Sequence, residues 1–453
     1  MSTAAPGAEG RAGRTAARPL GFWMATALVV GNIIGSGVYL LPASLAPYGP
    51  NSLVAWLLTA TGAVLLAVVF AALSRAFPKD GGPYVYTRAA FGELAGFVVA
   101  WGYWVSVWVG NAAIATGAVS YTSSFAPWIA AVPGASAIVT IAVVWLLTLV
   151  NCWGVRAAGW VQAVTTVLKL LPLLAVAAVG GFFIQREALA SFTEVPLTLD
   201  GTTAAATLAL WALLGFESAT VPAEKVVDPA RTIPRATLIG TVVSAVFCFL
   251  ACSLVLLVVP AAQLAGSNAP FADAARVIWG DGAATLVALF AAISAYGALN
   301  GWILVQGELP FAMGRDGVFP RAFARESARR TPVFALVSTS ALVTALIVMN
   351  FHGSMAQVFK FMILLATSAN LVAYLVCALA LLVLMRRGAL AGARRGTPGL
   401  ALAGALGALY SLWAIAGAGT EATAWGAVLL LVGLPVYALM KRAPPQVGDE
   451  TRR

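Results

Sequence analysis

Apolar residues fall along this chain in long continuous runs, without the alternation or amphipathic stripes of a soluble fold. Runs of about 18 residues or more recur, each long enough to cross a hydrocarbon core about 30 Å thick at about 1.5 Å per residue. Cut at their breakers, they predict twelve spans over 20–47, 51–77, 92–122, 133–153, 157–184, 200–221, 235–260, 281–313, 332–351, 354–386, 399–417 and 420–441. The pattern is that of an all-α membrane protein. A transmembrane β-barrel would need segments of roughly ten residues alternating in polarity, and these runs do not alternate. The loops between them are too short to form a domain of their own, so whatever the protein does, it does within the membrane.

Composition agrees, with 61% hydrophobic and 10% charged residues against about 25% charged in a soluble domain. The excess of 27 Lys and Arg over 17 Asp and Glu gives a net charge of +10, which in a soluble protein would suggest nucleic acid. Placement gives a better account. With the N-terminus inside, 23 of the 27 basic residues fall on inner segments, from Arg11, Arg14 and Arg18 to Arg453, while Arg186 and Arg276 fall outside and Lys169 and Lys360 within spans. The positive-inside rule then predicts a multi-pass protein of the cell (inner) membrane with both termini cytoplasmic, and the charge requires no nucleic-acid partner. The cytoplasmic tails would be 1–19 and 442–453, the first span being retained rather than cleaved as a signal peptide. Cys152, Cys248, Cys252 and Cys377 lie in apolar runs without metal-ligand spacing, and His352 is the sole histidine. Neither a disulfide framework, a metal nor another cofactor is expected.

Two spans break the pattern. The first contains Gly31-Asn32-Ile33-Ile34-Gly35-Ser36-Gly37, and glycine in a helix interior costs about 1 kcal/mol relative to Ala. Unwinding here would free the N–H groups of a half-helix beginning near Val38 and the carbonyls ending the half before it. The first end suits a carboxylate and the second a cation, the two charges of an amino acid. Close helix packing through small residues is the alternative. Five spans later, Trp211 to Ser218 places Glu217 deep in an apolar run. Interruptions in the first helix of each half point to an inverted-repeat transporter with its site at the midplane. The repeats would be 20–184 (spans 1–5) and 199–386 (spans 6–10), with 399–441 appended.

The segments GNIIGSGVYLLPASLA (31–46), KDGGPYVYTRAAFG (79–92), YWVSVWVGN (103–111), GFESATVPAEKVVDP (215–229), GALNGWILVQG (297–307) and GRDGVFPRAFAR (314–325) together resemble bacterial members of the amino acid, polyamine and organocation transporter superfamily, in particular its arginine/agmatine antiporter branch. The resemblance implies a five-plus-five inverted repeat with discontinuous first and sixth helices, a bundle rocking against a scaffold, and no enzymatic activity. It implies substrate contacts at Asn32, Ile33, Gly35, Ser36 and Gly37, a stacking Trp302, a capping Trp211 and a distal hydrogen bond from Asn111. It also implies a gate of Tyr103, Glu217 and Tyr374, with Tyr84 on the inner path.

Departures from that branch are Ala366 for a pocket serine, Ile114 for a methionine, and Ser106 and Val107 for two small pocket residues. Lys169 is another, since the branch is apolar there while other superfamily members carry a lysine tying span five to spans one and eight. A buried ammonium is costly, which leaves two readings open, a proton-coupled group or a permanent tether. Lys360 is expected to snorkel and Glu308 to partner a cytoplasmic arginine. The expected function is a secondary transporter of amino acids or related amines, in its sharpest form exchanging a cationic amino acid such as arginine for its amine. Proton-linked uptake of neutral amino acids and a substrate-sensing receptor are the rivals. Beyond lipid and a small amino acid or amine substrate, a homodimer is compatible.

Overall fold

The computed structural model describes residues 20–350, 355–390 and 398–442. The expected tails over 1–19 and 442–453, apart from Arg442, lie outside the described residues, as do His352 and the loop arginines Arg394 and Arg395. Among the described residues the chain is helical, and its one strand-like contact is an isolated parallel bridge between Leu20 and Val226. Eleven segments are long and apolar enough to cross a membrane.

The first expected span divides into α1 (Phe22–Ile33) and α2 (Ser36–Leu45), with Ile34 and Gly35 extended between them. After α3 (Asn51–Ala76), Pro83 opens the short helix α4 (Pro83–Phe91), and α5 (Glu93–Ser123) returns through the centre. Then come α6 (Ala135–Trp153), α7 (Val155–Val179) and α8 (Leu199–Trp211). Helix α8 has 13 residues, roughly 20 Å at 1.5 Å per residue, too short for a crossing by itself. Beyond Trp211 the chain leaves the helix and continues in turns and single 3₁₀ turns to Lys225. This is why eleven helices qualify where twelve spans are expected. The second half follows as α9 (Pro229–Val258), α10 (Pro270–Trp279), α11 (Asp281–Arg315), α12 (Val333–Asn350), α13 (Met355–Arg386), α14 (Pro398–Gly417) and α15 (Thr420–Arg442).

Helices α5 and α11 form the axis of the bundle, packed on each other, with α13 against α5 and α7 against α11. Both are buried along most of their length. Leu146 and Leu149 on α6, Val164 and Val167 on α7 and Leu431 on α15 face outward, where lipid is as apolar as the core. The two interrupted segments meet near the centre. Gly215 has φ +117°, and a Cβ there would lie 3.0 Å from the Asn32 carbonyl carbon and 3.1 Å from the Ile33 nitrogen. Both the backbone angle and the space require glycine at this crossing.

Candidate functional site

A break in a buried helix frees backbone carbonyls that must find donors, and here each does. Val30 O accepts from Ile34 N at 2.8 Å and Ile33 O from Gly35 N at 3.1 Å. Gly31 O accepts from Lys169 Nζ at 2.7 Å, Asn32 O from Trp302 Nε1 at 3.2 Å, and Ile34 O from Ser294 Oγ at 3.4 Å. Donors from α7 and α11 therefore hold the interruption open. On its other side, the first-turn N–H groups of α2 have no acceptor within the helix.

Beside this turn lies a pocket lined by Asn32, Ile33, Gly37, Ser106, Val107, Gly110, Ile114, Trp211, Leu214, Trp302 and Asn370. None of these carries a charge. The space within it is about 20 Å³, room for one water, so the walls must part to admit a substrate. Glycines let the rings close in. A Cβ on Gly37 would stand 2.7 Å from Trp211 Nε1, and one on Gly110 would stand 3.2 Å from the same indole. The buried Trp211 N–H has no partner and lies next to the α2 N-terminus.

Six residues singled out from the sequence and its resemblance thus gather here with Trp211 and Trp302, namely Asn32, Ile33, Gly37, Ser106, Val107 and Ile114. Others do not line the pocket. Asn111 is fully buried and donates to Gln306 Oε1 at 2.6 Å, because its position on α5 turns it toward α11. Gln306 continues to Ser340 Oγ at 2.8 Å, which shares a hydrogen bond of 2.7 Å with Thr148. Gly35 packs against α11, where a Cβ would meet Ala298 at 2.6 Å, and Ala366 stands behind Gly110. Ser36 opens α2, and its side chain lies outside the described residues. Leu214, in the interrupted segment Trp211 to Ser218, also lines the pocket, as do Gly110 and Asn370, which were not singled out. Gly110 sits next to Asn111 within the quoted motif, and that adjacency was the only signal available.

Glu217 is fully buried, accepting from Tyr103 Oη at 3.0 Å, Tyr374 Oη at 2.6 Å and the Gly215 N–H at 3.3 Å. Three donors from α5, α13 and its own turn satisfy it without a cation, as an intramembrane carboxylate requires. Tyr84 belongs to a different cluster, accepting from Arg88 Nη1 at 3.1 Å while Arg88 pairs with Asp316. Lys169 is fully buried, and its own carbonyl accepts from Tyr39 Oη at 2.6 Å. Lys360 is exposed.

At the Lys- and Arg-rich end, a cavity of about 620 Å³ is lined by Lys79, Asp80, Arg88, Glu224, Arg315 and Asp316 among others. Arg315 pairs with Glu224 at 3.2 Å and with Asp80 at 3.7 Å. The buried Glu308 pairs with Lys225, not with the arginine expected. Backbone hydrogen bonds from Leu20 N–H to Lys225 O and from Val227 N–H to Leu20 O fix the segment that carries this lysine.

A neutral, nearly closed pocket between two broken helices of a multi-span helical bundle fits a membrane transporter. Residues 20–438 match the amino acid permease family, and the chain belongs to it. It is similar to a putative arginine/ornithine antiporter of Bacillus subtilis, 32% identical over 455 residues and covering 92% of this chain and 96% of the relative. It is similar also to the putrescine transporter PotE of Haemophilus influenzae (30% over 424 residues, 93% and 97%) and to a cadaverine/lysine antiporter of Escherichia coli K12 (34% over 355 residues, 76% and 78%). The protein is a multi-pass secondary transporter of amino acids or related amines.

Proposed function

We propose that this protein exchanges a cationic amino acid for its decarboxylated amine by alternating access. The observation that carries this reading is one pocket placing the α2 N-terminus and the Trp211 N–H beside the ring of Trp302. The helix end and the indole suit a carboxylate, and an aromatic face suits an ammonium or guanidinium. Amino acid and amine share the cationic group and differ in the carboxylate, so one site serves both. The names of the similar antiporters, arginine/ornithine and cadaverine/lysine, support the same substrate class. In this reading α8 and the turns after it complete a twelfth span, 20–184 and 199–386 are inverted repeats, and the Lys- and Arg-rich end faces the cytoplasm. Glu217 with its two tyrosines gates the path on one side of the pocket.

Counterflow tests it. Purified protein in liposomes loaded in turn with arginine, lysine, ornithine, agmatine, cadaverine or putrescine should take up labelled cation only against a trans partner. Labelled uptake into empty liposomes driven by a proton gradient, selective for neutral amino acids, would favour proton-linked uptake instead, the reading that the buried Lys169 supports.

A further inference from the structure

The pocket proposed to bind cations holds no carboxylate, and Asn370 supplies what is missing. It is buried, lines the pocket on α13 and lies one turn before Tyr374. Tyr374 Oη donates to Glu217 Oε2 at 2.6 Å. A phenol has one proton, so with that proton committed to the carboxylate, Tyr374 only accepts from the amide that faces it at 3.2 Å. The facing atom is therefore Nδ2. Asn370 Oδ1 turns away, buried and without a hydrogen-bond partner. A buried amide oxygen left unpaired is costly, unless a ligand supplies the donor.

We propose that Asn370 Oδ1 accepts an N–H of the substrate's cationic nitrogen and, through Tyr374, brings the negative charge of Glu217 to bear on the pocket. Each hydrogen bond in the row Glu217, Tyr374, Asn370 polarises the next, so the unpaired oxygen is a stronger acceptor than a lone amide. The pocket then has two polar ends. The Trp211 N–H and the α2 first turn donate to a carboxylate, while Asn370 Oδ1 accepts from a cation. Only the second is used by both partners of an exchange. The charge stays on Glu217, held by Tyr103 and the Gly215 N–H as well, so a cation binds without a bare carboxylate in the pocket to trap it.

This inference rests on the cation-exchange reading, and the experiment separates the two. Full-length protein in nanodiscs is tested for equilibrium binding of arginine and agmatine, lysine and cadaverine, and ornithine and putrescine. Asn370→Leu, similar in size but without the acceptor, should weaken an amino acid and its amine alike by roughly tenfold or more, and Asn370→Asp should retain binding. Glu217→Gln should weaken binding with Asn370 present and have little further effect beside Asn370→Leu. Purely structural damage at Asn370 would instead leave Glu217→Gln equally harmful in both backgrounds, which overturns the proposal. Wild type that binds none of the pairs overturns the cation-exchange reading and this one with it. Wild type that binds a pair, with Asn370→Leu binding it equally well, overturns this one alone. Size-exclusion profiles report folding, and should the leucine variant misfold, Asn370→Ala is read by the same criteria.

Discussion

Replacing Lys169 by methionine removes a single donor from the break in the first span while keeping most of the side chain's volume. The ammonium donates to Gly31 O at 2.7 Å and is fully buried. None of the ion pairs among the described residues includes it. A hydrogen bond to a charged group contributes about 1.5–3 kcal/mol, roughly 10- to 150-fold in the equilibrium that keeps α7 fastened to α1. Methionine also removes the cost of holding an unpaired charge out of water, so overall stability should hold or rise. Lys169→Met is therefore expected to fold and to transport at least tenfold more slowly. Lys169→Ala should lose more, because it leaves a cavity as well. The assay is initial exchange in liposomes at several pH values with no membrane potential. A tether predicts the same fractional loss at every pH, and a proton-carrying group predicts a flattened profile. Wild-type rate together with a wild-type profile in Lys169→Met would refute both roles.

Trp302→Ala should weaken cation binding by about 0.5–2 kcal/mol from the lost ring, and also frees Asn32 O, its partner at 3.2 Å; Trp302→Phe should recover the ring's part only, and unchanged affinity in the alanine variant removes Trp302 from the site. Gly37→Val sets a Cβ 2.7 Å from Trp211 Nε1 and 2.9 Å from its Cδ1, so it should displace the indole and lose the carboxylate-bearing ligand more than the amine; equal losses would count against the α2 end as the carboxylate site. Asp80, in the loop between α3 and α4, is pushed up to about 7 by burial, with Glu308 and Glu224 adding to the rise and the Glu224 N–H and Lys225 opposing it. Arg315 faces it at 3.7 Å. The closed cluster thus binds a proton that an exposed Asp80 would release, so closure is favoured as pH falls below about 7 and opening is eased as pH rises through it. Exchange should slow when pH on that side alone is lowered from about 8 to about 6, and Asp80→Asn should abolish the response; a persistent response in the variant would falsify the assignment.

Eleven of the twelve expected spans and both interruptions were legible in the sequence, because apolar run length and the backbone freedom of Gly31, Gly35, Gly37 and Gly215 are local properties of the chain. The same local reading found the unusual polar groups, Glu217 and Lys169, since an ionisable side chain in an apolar run stands out without knowledge of its neighbours. Which groups meet was decided only by the tertiary structure. Asn111 pairs with Gln306, 195 residues away, while Asn370 takes a place in the pocket that no motif marked. Arg88 joins Asp316, and Glu308 joins Lys225. In a soluble helix the polar stripe identifies the outward face. Here lipid and protein core are equally apolar, so the sequence carries little information about how each helix is rotated. That rotation, set by close contacts such as Gly215 on Asn32 and Gly37 on Trp211, selects the few polar atoms that reach the pocket.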